Sequence, residues 1–408
     1  MFYSPLKNSV FRAVWLVMFF SNVGTWAHTV TSSIFITTLT TSTILITLVQ
    51  TASMLPIFLF SIPAGVLADF FDRKSIVIGA QIVMAIVAFS MAMITFADSM
   101  TPSLLIATTF LLNIGLAFNQ PAWQATSSTL VPSHEIKQSA ALNNLSFNVS
   151  RCIGPAIAGY YFSQLGPACL FILNGISFVV AIFVLNKKLL PKENRTKVTF
   201  RQVRNGFLEG FFLYKKFPQI KFVFLKAIFY FLFASSIWAL LPYIIIVYNK
   251  LPDTNLGLLT GMAGIGAILN AYSIYYLRKR LADHQLTTVT LFLSAIVIFF
   301  IGQVSSFSAL ALIMLLFGYS WSIAVSVFNG ILQSEFPVDV RSRLIGMYCV
   351  CFAGSQALGG YLSGVLVHTF GLPHALIGIA FSLFIIFSGY VLSMVFLNKT
   401  LANQYEPG

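Results

Sequence analysis

The 24 Lys and Arg residues of this 408-residue chain are placed in a pattern that leaves it few ways to fold. The sequence between them divides into about twelve apolar stretches of roughly 20 residues, each long enough to cross a bilayer as a helix. The approximate spans are 12–38, 44–69, 75–97, 102–129, 139–163, 168–186, 219–248, 255–277, 286–303, 308–333, 343–368 and 373–397. The loops near residues 40, 98, 165, 251, 305 and 370 hold one basic residue between them, Lys250. The alternate loops, the N-terminus and the tail hold nearly all the others. Basic loops are retained in the cytoplasm, so both termini are expected there and the number of crossings is even. The sequence predicts an all-α polytopic membrane protein of twelve transmembrane helices, placed in a bacterial cytoplasmic (inner) membrane.

Composition narrows the function classes. Charged residues make up 9 % of the chain, against about 25 % in soluble proteins. The net charge of +13 lies in loops beside apolar spans, which suits lipid headgroups and argues against nucleic acid. Lys7 and Arg12 precede an apolar run too long for a signal peptide, and no small-residue cleavage site follows, so this run reads as a retained first helix. Cys152, Cys169, Cys349 and Cys351 lie in or beside spans without metal-binding spacing. No nucleophile-and-base constellation or paired carboxylates occur within the spans. Neither a metal, a cofactor nor an enzyme activity is expected.

The chain matches itself at an offset of 205. Arg73-Lys74 falls on Arg278-Lys279, Pro132 on Pro337, Gly154 and Gly159 on Gly359 and Gly364, and Gly166 on Gly371. Two six-helix pseudo-repeats follow, 1–186 and 219–408, a pattern common in secondary transporters with a substrate site between the halves. The intervening 187–218 is strongly basic, and Phe200, Val203, Phe207 and Phe211 recur within it at helical spacing. An amphipathic helix on the inner membrane surface is expected there, with a charged tether as the alternative.

After the second span comes Gly65-Val66-Leu67-Ala68-Asp69-Phe70-Phe71-Asp72-Arg73-Lys74. It resembles the loop signature of the major facilitator superfamily, departing from it at Phe70 (usually basic) and Asp72 (usually glycine). In that family the cluster braces the two halves in the outward-facing state. The resemblance therefore implies a conformational role for Gly65, Asp69 and Arg73, with Lys74 helping to hold the loop at the inner surface. In the second half Ile274 stands where Asp69 would fall, so the brace is expected to be one-sided. Helix five carries Arg151-Cys152-Ile153-Gly154-Pro155-Ala156-Ile157-Ala158-Gly159, which is similar to the Gly-Pro signature of exporters. Gly154, Pro155 and Gly159 are expected to allow close packing and a bend. The wider run from Asn119 to Pro132 resembles the branch containing the enterobactin exporter and macrolide efflux proteins.

Polar residues within the spans supply the candidate site. Arg151 lies near mid-bilayer, where an arginine costs at least ~2.5–3.5 kcal/mol and should face water or a partner. Asn144 and Asn148 share its face. Lys226 with Tyr230 on helix seven, and His28 on helix one, are further candidates, with snorkelling and ordinary packing as their alternatives. Polar stripes run along helix one (Asn22, Trp26, Thr29, Ser33), helix four (Asn113, Gln120, Gln124, Ser127) and helix ten (Ser322, Ser326, Asn329, Gln333). In the superfamily, helices one, four, seven and ten line the pathway. The alternative reading of each stripe is interhelical hydrogen bonding.

All eleven Asp and Glu residues lie in loops or at helix ends. Proton coupling is accordingly an expectation of the superfamily alone, with Asp69, Glu335 and His28 as candidate titrating groups. The buried candidates are all cationic or potentially so. The sequence thus points to a monomeric secondary active transporter, in contact with membrane lipid, that exports a small organic molecule by alternating access. A carboxylate-bearing, siderophore-like product ranks first. A multidrug or macrolide efflux pump, and a lysophospholipid flippase or importer, are the alternatives.

Overall fold

Within a bilayer the peptide groups have no water to bond, so an apolar chain must pair them internally in helices or in a closed barrel. The computed structural model describes residues 4–70, 72–187 and 218–404, and among these the membrane-length elements are helices, without a strand. They are α1 (Ser9–Leu39), α2 (Thr43–Phe70), α3 (Arg73–Phe96) and α4 (Pro102–Thr129). The 52-residue run Ile136–Lys187 is broken at Gly166, whose φ of 75° and ψ of 164° are not helical. Residues 136–165 and 167–187 are therefore separate helices, α5 and α6. There follow α7 (Pro218–Pro242, continued by a π-helical turn Tyr243–Tyr248), α8 (Asp253–Arg280), α9 (Asp283–Ile301), α10 (Phe307–Ser334), α11 (Val338–Phe370) and α12 (Leu372–Gln404).

Local chemistry sets the starts. The Asn8 side chain accepts the amides of Val10 and Phe11 at the head of α1. Thr101 and Pro102 open α4, where proline has no amide to leave unpaired. Asp72, the departure from the loop signature, caps α3 by accepting the Ser75 amide and hydroxyl, both at 2.9 Å.

The offset of 205 has counterparts in backbone geometry. Gly166 and Gly371 take the same conformation (φ 75°, ψ 164° and φ 76°, ψ 161°), each joining one helix to the next. Pro132 and Pro337 share another (φ −59°, ψ 154° and φ −57°, ψ 148°) just before α5 and α11. Equivalent aromatic pairs cross edge to face, Trp26 with Phe147 at 5.7 Å and Phe231 with Phe352 at 4.6 Å. Gly154 lets α5 lie against Val23 and Trp26 of α1, and Gly359 lets α11 lie against Leu232 and Ser235 of α7.

Two crossings join α1–α6 to α7–α12. In one, a Cβ on Gly159 would lie 2.8 Å from the Gly257 Cα, so α5 and α8 touch backbone to backbone. In the other, the Thr43 hydroxyl donates to the Gly364 carbonyl (3.1 Å) and the Thr51 hydroxyl to the Ala357 carbonyl (2.9 Å), tying α2 to α11. Phe58 still meets Gly354, but a turn or two farther on, Gly65 and Gly346 have open space where a Cβ would go. On α8, Leu256, Gly257, Leu259, Thr260 and Gly261 of the outer turns are buried, whereas Tyr272 is 78 % exposed. The halves therefore close at the end bearing the loops near 165, 251 and 370 and part toward the end bearing the basic loops.

The amphipathic helix expected over 187–218 falls almost wholly on 188–217, outside the described residues, as does the side chain of Asp69.

Candidate functional site

Arg151 stands at the midpoint of α5, about 22 Å from either end at 1.5 Å per residue. Its guanidinium carbon lies 5.6 Å from the ring centre of Trp26 on α1 and 4.9 Å from that of Trp238 on α7. The charge thus sits between one indole from each half. A cation over an aromatic face gains ~0.5–2 kcal/mol, and two such faces offset much of the cost of an arginine at this depth. They do so without neutralising it. Among the described residues no carboxylate pairs with Arg151, and its Nε has no hydrogen-bond partner. No described residue neutralises the guanidinium at the junction of the halves.

Trp238 is packed among aromatic rings. Its ring packs on Phe317 at 5.3 Å and Trp321 at 6.0 Å, and Trp321 packs on Phe231 at 5.1 Å. Asn22 and Asn148 lie one turn from Trp26 and Arg151 on the same helix faces and are partly buried. Gln120 and Gln124 on α4 and Gln333 on α10 are exposed, and Asn329 donates to the Val325 carbonyl of its own helix (3.0 Å). These residues lie in the halves of α4 and α10 nearer the basic loops, where the cleft opens.

Other candidates are turned elsewhere. His28 is 3 % exposed, with its ring 4.6 Å from Phe171 on α6 and neither nitrogen hydrogen-bonded among the described residues. Two residues beyond Trp26, it sits about 200° around α1 and packs inside the first half, not at the junction. Lys226 places its ammonium 4.2 Å from the ring centre of Tyr390 on α12. Tyr230, one turn on, shares a hydrogen bond with Ser294 of α9 (3.0 Å), which continues to Ser320 (2.9 Å). Tyr230 is buried against Trp321 and Phe328 of α10 as well, so this face of α7 is taken up by packing within the second half. Asn113 is buried and donates to the Thr109 carbonyl (2.8 Å). The Thr29 and Ser33 hydroxyls likewise donate to carbonyls of α1.

Of the conformational candidates, Gly154, Pro155 and Gly159 lie along the contacts of α5 with α1 and α8. Arg73 and Lys74 open α3, and Gly65 faces open space. In the second half, Arg278 pairs with Asp283 at 3.3 Å and donates to the Ser326 carbonyl at 3.1 Å.

Two residues at the junction escape a reading by polar stripes. Trp238 lies deep in its span, unlike the tryptophans typical of the membrane interface, and that depth is its sequence signal. Gln356 on α11 is the equivalent of Arg151 at the offset of 205. It is 3 % exposed, and its Nε2 has no hydrogen-bond partner among the described residues.

The profile of a family described as transmembrane secretion effectors matches residues 1–407. Macrolide efflux protein A of Streptococcus pyogenes is 22 % identical over 348 residues, covering 83 % of this chain and 85 % of that protein. The multidrug efflux pump Tap of Mycolicibacterium fortuitum is 22 % identical over 346 residues, covering 80 % and 81 %. Among solved structures, a bacterial homologue of the human lysosomal transporter Spinster, in an inward-facing and unoccupied conformation, aligns with a TM-score of 0.73 at 14 % identity, covering 99 % of this chain and 100 % of that one. A mutant of the nucleoside transporter NupG aligns with a TM-score of 0.76 at 12 % identity, covering 94 % and 99 %.

Proposed function

This chain belongs to the transmembrane secretion effector family of the major facilitator superfamily, and from that premise we propose that it exports a small, anion-bearing organic molecule by alternating access. It is a multi-pass membrane protein with the fold and relatives of transporters rather than of enzymes. Export is supported by the efflux relatives. The observation that carries the charge of the substrate is Arg151, held between Trp26 and Trp238 with no carboxylate paired to it among the described residues.

By the positive-inside rule the basic loops and both termini face the cytoplasm of a bacterial inner membrane. The cleft that parts toward those loops is then the loading state. A substrate entering it meets exposed glutamines on α4 and α10, then Arg151 at the apex. Its anionic group exchanges water for the guanidinium in a setting of low dielectric, where the pairing is stronger than in bulk solvent. The α5–α8 and α2–α11 crossings must separate for release on the far side. Proton coupling is the accompanying proposal, with the Asp69 and Glu335 carboxylates as its candidate groups. Since His28 packs against Phe171 within the first half, it is the weaker candidate. The arrangement is contained in one chain, so a monomer suffices.

A carboxylate-rich, siderophore-like product fits the site best. A macrolide-like drug is the second reading, favoured by the relative that is a macrolide efflux protein. Deleting the gene and assaying both iron-chelating activity in the culture supernatant and erythromycin susceptibility separates them. The first reading expects the chelating activity to fall with susceptibility unchanged. An unchanged chelator level with a lowered erythromycin tolerance contradicts it in favour of the second.

A further inference from the structure

Arg151 has an equivalent in the second half, and it is not a charge. At the offset that matches Gly154 to Gly359 and Phe147 to Phe352, Arg151 corresponds to Gln356. The preceding residue is serine in both halves, Ser150 and Ser355, and both are buried. Gln356 also lies near the middle of its helix, Val338–Phe370.

The position of its side chain follows from its neighbours. Gly359 on the next turn abuts Leu232 and Ser235 of α7. Gly360 abuts Ala239 of α7 and Thr51 of α2, and the Thr51 hydroxyl bonds the Ala357 carbonyl. Gln356 is on the face these residues share, where α11 meets α7 of its own half and α2 of the other. Trp238, which covers Arg151 at 4.9 Å, precedes Ala239 on α7. The two equivalent polar side chains thus approach the junction from opposite halves, and α7 borders both.

A glutamine amide buried to this extent ordinarily has its N–H groups paired. Here the Nε2 has none among the described residues, and the side chain is 3 % exposed. We propose that Gln356 is the second anchor of the substrate site, donating its amide N–H to a neutral or anionic oxygen of the substrate when the packing of α11 on α7 and α2 loosens to admit it. Arg151 takes one anionic group from the first half and Gln356 takes another acceptor from the second. The substrate class is then a molecule with at least two separated oxygen acceptors, one of them a carboxylate, and a simple monocarboxylate is held by one end only. Binding that draws on both halves also favours the state in which they have closed, because a ligand shifts an equilibrium only through differential contacts.

This inference rests on the anion reading of Arg151, and two probes keep them apart. Citrate offers several carboxylates, whereas benzoate offers one carboxylate and a ring. Binding of each to the purified full-length protein in detergent is measured by titration calorimetry for wild type, Arg151→Gln, Gln356→Leu and Gln356→Glu. The expected pattern is that Gln356→Leu weakens citrate about tenfold and benzoate less than twofold. Gln356→Glu weakens citrate further, since it removes the donor and adds a repelling charge. Arg151→Gln weakens both probes. Retained benzoate binding shows that the Gln356 variants are folded. Equal citrate affinity in wild type and Gln356→Leu overturns the second anchor while leaving the first intact. A parallel loss of both probes in Gln356→Leu also overturns it, marking a structural role. Unchanged affinity in Arg151→Gln, or no saturable binding of citrate to wild type, overturns the anion reading and this inference with it.

Discussion

Replacing Gly159 by valine should drive the protein out of the state described here. A Cβ at this position would lie 2.8 Å from the Gly257 Cα and 3.0 Å from both the Gly257 nitrogen and the Thr254 carbonyl oxygen. All three are backbone atoms, so no rotamer change relieves the clash. Carbon atoms pack at about 3.5–4.0 Å, and the two valine methyls lie beyond the Cβ, so α5 and α8 must part by an ångström or more. Overpacking of this kind costs ~1–3 kcal/mol. The cost falls only on the state in which the crossing is formed. At ~2 kcal/mol, the ratio of this state to its open counterpart drops about 30-fold. Spin labels at Asp98 and Gln303, on exposed loops at the closed end of opposite halves, report the change by double electron–electron resonance in a cysteine-free background. Wild type should give a short-distance population, and Gly159→Val a dominant longer one. Gly79 has open space around it, so Gly79→Val serves as the control and should match wild type. A folded Gly159→Val protein with the wild-type distance distribution would refute the assignment of this crossing as the closure of that end.

Three further substitutions separate packing from pathway. Tyr230→Phe removes the bond to Ser294 and should lower stability by ~1 kcal/mol, seen as a reduced melting temperature, with citrate affinity unchanged; a loss of affinity without a loss of stability would place Tyr230 in the pathway. His28→Leu should leave both the rate of export and its pH dependence as in wild type, because the ring only packs against Phe171; a shifted pH profile would return it to the coupling groups. Arg278→Gln breaks the pair with Asp283 and the bond to the Ser326 carbonyl, and should slow turnover with little change in substrate affinity. A pure affinity loss there would contradict a conformational role.

The membrane makes some features legible in sequence and hides others. Helix number and length follow from bilayer thickness and the positions of basic residues, so the predicted spans match the observed helices to within a few residues at most ends. Gly166 and Gly371 are readable because few residues other than glycine take φ near 75°, and their spacing repeats that of the other matched positions. The depth of Arg151 is readable for the same geometric reason. Helix facing is not. Lys226, Tyr230 and His28 share depth and polarity with residues of the cleft, yet they turn toward α12, α9 and α6 because the neighbouring helices decide which face is interior. A hydroxyl that bonds its own helix, such as Thr29 or Ser33, gives the same stripe as one that lines water. Gln356 is legible only when the repeat is extended beyond its identical residues, since glutamine and arginine do not match by type.

Transport by this route requires that position 151 face water at the apex of a cleft open toward the basic loops. The direct measurement is the reactivity of Arg151→Cys, in an otherwise cysteine-free protein, toward a membrane-impermeant anionic thiosulfonate. It would be applied to inverted vesicles, which present the cytoplasmic face, and to right-side-out vesicles. Rapid modification is expected in inverted vesicles and slow modification in right-side-out ones, and opening the α5–α8 crossing by Gly159→Val should slow the reaction in inverted vesicles and speed it in right-side-out ones. A thiol that reacts from neither side, in vesicles where an exposed loop cysteine is fully modified, would show that residue 151 is sealed in dry packing and would contradict the proposed pathway.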